Sequence, residues 1–72
     1  MEHAAPQVGE LIFYLPDKGY GYVRLEGTRE EFHFRAKNLR YDNPRAGDLV
    51  RFVLKTTRQG YFADAIERAN LG

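Results

Sequence analysis

The 72-residue chain contains no cysteine and no serine, holds two histidines, and has no apolar run of membrane-spanning length. Without cysteine there is no disulfide and no thiolate nucleophile or metal ligand; the composition fits a reducing compartment. Without serine or cysteine, a nucleophile–base pair would have to use Thr28, Thr56 or Thr57, all expected in turns with no local base. His3 and His33 do not form a ligand cluster. Glu30 and Glu31 are adjacent, so on a strand they point to opposite faces and do not address one substrate. No enzymatic activity, metal or cofactor is expected, and no small-molecule substrate. The opening MEHAAPQ lacks a basic region followed by an apolar core, so no membrane partner and a soluble, cytoplasmic protein are expected.

A chain this short makes at most one domain and buries a small core. With neither disulfide nor metal to brace it, a closed β-barrel is one way left to be small and ordered, because closure removes exposed strand edges.

Charge is nearly balanced, with 11 basic and 10 acidic residues and a net of +1, but it is unevenly distributed. Residues 1–17 carry Glu2, Glu10 and Asp17 without a cation. Residues 18–40 carry Lys18, Arg24, Arg29, Arg35, Lys37 and Arg40 against Glu26, Glu30 and Glu31. The same segment holds Tyr20, Tyr22 and His33, so positive charge and aromatic rings coincide.

Along the chain, VGELIFY (8–14) is rich in β-formers, and LPDKG breaks it through Pro16, Asp17 and Gly19. YGYVRL (20–25) and EFHFR (31–35) alternate with period two on either side of an EGTRE turn. Residues 36–47 read as irregular, with a helical turn near Lys37–Leu39. DLVRFVLK (48–55) alternates, TTRQG reads as a turn, and YFADAIE (61–67) as the last strand. Five short strands and no helical period predict an all-β fold. The expected domain is 8–67, with an N-terminal tail (1–7) and a C-terminal tail (68–72).

Side-chain alternation divides the second and third strands into two faces. Val23, Leu25, Phe32 and Phe34 point one way, toward a core that also takes Val50, Phe52 and Ile66. Tyr20, Tyr22, Arg24, Glu31, His33 and Arg35 point the other way, with Gly19 and Gly21 keeping the backbone low between the rings. Phe13 is a core ring by simple alternation and a surface ring if a bulge shifts its face. Tyr61 and Phe62 read as one core ring and one rim ring, the assignment open. Flat π surfaces beside cations are what unpaired bases and phosphates require.

The segment Lys18-Gly19-Tyr20-Gly21-Tyr22-Val23, set in GELIFYLPDKGYGYV, resembles the first RNA-binding motif of the cold-shock domain family. Phe32-His33-Phe34-Arg35 resembles a degraded form of the second motif, and RAGDLVRFVLKTTRQGYFADAI the family's last two strands. The resemblance covers about residues 8 to 67. It implies a five-stranded antiparallel OB-type barrel that binds single-stranded RNA or DNA, often as an RNA chaperone or regulator of gene expression, and a monomer. Matched position by position, Lys18, Tyr20 and Tyr22 fall on binding positions. Phe13 stands where a surface tryptophan is usual, His33 where a stacking phenylalanine is usual, and Arg35 where histidine is usual. Ala36 stands where a further aromatic is usual, so one platform is missing. The expected nucleic-acid-binding residues are therefore Phe13, Lys18, Tyr20, Tyr22, Arg24, His33 and Arg35, with the roles of Tyr41 and Tyr61 open. The alternative from another class is a small-barrel adaptor that uses the same aromatic face for a peptide.

Overall fold

A computed structural model describes residues 5–69. The chain forms β1 (Gln7–Leu15), β2 (Tyr20–Leu25), β3 (Glu31–Arg35), a single 3-10 turn (Ala36–Asn38), β4 (Leu49–Thr57) and β5 (Gly60–Arg68). The strands close into a barrel in the order β1-β2-β3-β5-β4, with β4 pairing back onto β1. The all-β expectation holds, but the barrel is not purely antiparallel: β3 and β5 run parallel, joined at His33 and Phe62. A second parallel bridge links Leu39 to Ile66, and the Arg40 N–H donates to the Ile66 carbonyl at 2.8 Å. The 3-10 turn occupies the chain between these two bridges. The parallel pair follows from the connection: residues 36–48 cross to β4, and the tight β4–β5 hairpin then returns β5 alongside β3.

The strands are longer than their alternation suggests. β1 begins at Gln7, which pairs with Phe52, and β5 runs to Arg68, opposite Val50. β1 and β5 thus each reach one residue past the expected 8–67 span, because the β1–β4 and β4–β5 ladders continue to pair there. The remaining tail residues 1–4 and 70–72 lie outside the described residues. Thr56 and Thr57 belong to β4, and Gly60 opens β5, so the expected TTRQG turn contracts to Arg58 and Gln59. Thr57 fixes it: its Oγ1 accepts from the Gln59 N–H and donates to the Gly60 carbonyl.

The core is Leu11, Val23, Phe34, Val50, Phe52, Ala63 and Ile66. Five of the seven expected core residues are in it, while Leu25 packs against it half-buried. Phe32 is outside it too: it packs half-buried against the core, edge-on to Tyr61 with ring centroids 6.4 Å apart. Neither Tyr61 nor Phe62 is a core ring. Tyr61 is 61% exposed, Phe62 is half-buried, and the inward residue of that stretch is Ala63, because the facing interior is already filled. Truncating Phe34 or Phe52 to alanine leaves a ring-sized void in a core of seven side chains. Each change is expected to cost on the order of 3–5 kcal/mol, enough to unfold a domain this small. Thermal or denaturant melts of both variants check the assignment; near-native midpoints would refute it.

Candidate nucleic-acid interface

The outer face of β1–β3 is built by register. In the β2–β3 hairpin Tyr22 lies opposite His33, and Tyr20 opposite Arg35. Between β1 and β2 the register slips: Leu11 faces Val23, yet Phe13 faces Tyr22. Ile12 is the extra residue of a β-bulge, and it reverses the alternation of everything after it. Leu11 points into the core, Phe13 turns outward, and Tyr14 points back in, its ring edge-on to Phe34 at 5.8 Å. The open question about Phe13 is thus settled on the surface side.

Phe13, Tyr20, Tyr22 and His33 form one cluster of half-buried rings. Phe13 lies 5.5 Å from Tyr22 and 6.3 Å from Tyr20. Tyr20 and His33 are stacked at 5.6 Å with only 28° between their planes, and Tyr22 meets His33 edge-on at 5.6 Å. Aromatic packing of this kind fixes the rings relative to one another.

The two glycines of the motif do different things. Gly19 adopts φ +74°, a left-handed conformation that closes the β1–β2 turn. Gly21 is buried and directed inward: a Cβ there would collide with the Phe13 carbonyl and lie 2.7 Å from the Phe34 ring. Its role is to admit Phe34 beneath the sheet, which differs from the expected lowering of the backbone between the outer rings.

The cations divide. Arg24 is bound to Glu31 at 2.8 Å, its directly opposite partner, so its charge is compensated on the face. Arg51 and Lys55 pair likewise with Glu67 and Asp64. None of the ion pairs among the described residues engages Lys18, Arg35 or Lys37. Lys18 is exposed in the turn before Tyr20, and Arg35 is exposed at the end of β3. Ala36 is exposed as well, at the first residue of the 3-10 turn. Tyr41 is committed elsewhere. Its hydroxyl donates to Asp48 at 2.9 Å, and Arg68 lies over its ring at 5.0 Å. Burial and the neighbouring Asp48 carboxylate push its hydroxyl pKa well above the usual tyrosine range.

A polar knot holds the exit of β3 in place. The Arg35 N–H donates to Asn38 Oδ1, and Asn38 Nδ2 donates to Asp64 Oδ1, both at 2.8 Å. Asp64 also accepts from the Ala65 N–H and pairs with Lys55. Asn38 is the buried polar residue among those described, and its amide is used on both sides. Sequence reading left Asn38, Asp64 and the neighbouring Lys37 and Phe62 out of the site, because a parallel pairing between distant strands has no local signature.

No family model matches the chain, and comparison with curated proteins finds no significant match. No helix among the described residues is long and apolar enough to cross a membrane.

The knot generates a pH dependence. The hydrogen bond from Lys55 lowers the Asp64 pKa below 3.8, burial acts against it, and the donors of Asn38 and Ala65 add to the lowering. A carboxyl depressed on folding contributes stability that is fully present above its unfolded value and is lost as pH falls through its folded one. Stability attributable to Asp64 is therefore expected to be constant at neutral pH and to fall below pH 3.8. Asp64→Asn should be less stable at neutral pH and should lose less on acidification. Melting temperatures of both proteins across this range measure it; parallel curves would exclude the knot as the source.

Proposed function

We propose that the chain binds single-stranded RNA or DNA across the outer face of β1–β3, and that its barrel is of the OB type. The observation that carries the reading is the four-ring cluster, in particular the outward turn of Phe13 at the Ile12 bulge. An internal ring would have served the core, yet the strand spends an irregularity to place it beside Tyr20 and Tyr22. Unpaired bases stack on such a surface, while a duplex already has its bases stacked on each other. Lys18 and Arg35 stand beside the rings to meet phosphates. The strand order β1-β2-β3-β5-β4, with closure of β4 on β1, supports the OB reading, in which the β2–β3 face takes oligonucleotides. The resemblance of residues 18–23 to the cold-shock motif supports the same ligand. Binding that captures unpaired bases disfavours their re-pairing, which is the activity of an RNA chaperone in the cytoplasm.

The test is a titration with a short pyrimidine-rich single strand and with its duplex, followed by NMR. Resonances of Phe13, Tyr20, Tyr22 and His33 should shift with the single strand, and the duplex should bind much more weakly. Tyr20→Ala and Tyr22→Ala should each weaken binding by roughly 1–3 kcal/mol with a smaller effect on stability. A net charge of only +1 limits the phosphates contacted to about two to four, so the log–log salt slope should be about −1.5 to −3. Lys18→Ala should reduce it by about 0.7. Binding of a proline-rich peptide with a salt slope near zero would instead support the adaptor function.

A further inference from the structure

Beyond His33 the aromatic row does not stop. Phe13, Tyr22 and His33 are successive cross-strand partners on β1, β2 and β3, and the next partner of His33, across the parallel seam, is Phe62 on β5. Paired residues in neighbouring strands share a face, so Phe62 continues the row. It is half-buried, as the other rings are. Beside it lies a groove of about 510 Å³, lined among others by His33, Arg35, Lys37, Gln59 and Phe62. That volume is within the range of small-ligand sites.

The groove has a definite chemistry. No carboxylate lines it, whereas Arg35 and Lys37 both do, and neither is engaged in an ion pair among the described residues. Arg24, on the outer face of β2, is by contrast paired with Glu31, its directly opposite partner. The Gln59 side chain, a donor and an acceptor, makes no hydrogen bond among the described residues, although its backbone N–H is held by Thr57. Asn38, held in place by its bond to Asp64, also lines the groove.

We infer that this groove is a further nucleotide subsite, in which Phe62 stacks a base and Arg35 and Lys37 hold its phosphate. A bound single strand then crosses all three strands of the aromatic face and the β3–β5 seam. Phe62 supplies, from β5, the ring that position 36 lacks. The inference rests on the single-strand reading above. The phosphate is either an internal diester or a terminal monoester, which share the same oxygen acceptors.

The experiment compares two oligothymidylates, of about four and about eight nucleotides, on the wild-type protein and on Phe62→Leu and Lys37→Gln. Leucine keeps the apolar bulk of a half-buried position and removes the π face, and Lys37 is exposed; melting temperatures verify that both variants fold. The long strand should lose about fivefold or more in affinity on Phe62→Leu, and the short strand should be unaffected. Lys37→Gln should flatten the salt dependence of the long strand alone. Adding a 5′- or 3′-phosphate to the short strand distinguishes the sources: a gain that Lys37→Gln abolishes assigns the groove to a strand end, and no gain assigns it to an internal diester. If wild type binds both strands and neither variant discriminates between them, the groove is not a subsite although the aromatic face binds. If wild type binds neither strand, the single-strand reading fails and this one with it.

Discussion

The ring of Phe34 lies under Gly21, and both sides of the protein depend on that contact. Inside, Phe34 is one of the largest fully buried side chains, with Tyr14 edge-on against it. Outside, Gly21 separates Tyr20 from Tyr22. Any side chain at position 21 would drive Phe34 out of the core or push the Phe13 carbonyl, and with it the bulged part of β1, away from β2. The core and the aromatic face are therefore two surfaces of one packing solution, and neither can be adjusted without the other. This is a physical reason for a glycine between two tyrosines that owes nothing to the ligand.

The faces of β2 and β3 were legible because their apolar and polar residues alternate strictly, so Val23 and Phe34 could be placed inside and Tyr22 and His33 outside from spacing alone. β1 was less legible. Leu11, Ile12, Phe13 and Tyr14 are all apolar or aromatic, and a run without alternation gives no sign of where its register slips. The parallel seam was not legible at all. It pairs residues 29 positions apart, His33 with Phe62, through an intervening loop whose path no local pattern specifies. For that reason Phe62 was left between core and rim, and Lys37 was left out of the expected binding residues. Arg24 shows a different gap: its neutralisation follows from the hairpin register that sets it opposite Glu31, which the alternation contained but a count of cations does not.

Electrostatically the barrel is economical. A net charge of +1 is too small to attract a polyanion from a distance. The ion pairs of Arg24, Arg51 and Lys55 tie up three cations, Lys55 directly opposite Phe62, while Lys18, Arg35 and Lys37 enter no ion pair among the described residues. The exposed pairs of Arg24 and Arg51 add little stability. Their larger effect is on where positive potential survives, which is a matter of position and not of total charge.

The order of the strands also has a consequence in time. The β1-β2-β3 meander and the β4–β5 hairpin are each joined by short turns, so each can form from neighbouring residues. Barrel closure instead joins Gln7 to Phe52 and His33 to Phe62, and it must overcome the entropy of the long loop between them. Closure is accordingly expected to be the slow event of folding. Mutations in the seam, such as at Asn38, are expected to act on the unfolding rate if the seam docks after that barrier and on the folding rate if it docks within it. A chevron plot of Asn38→Ala would therefore place the seam in the sequence of events by which the two halves become one barrel.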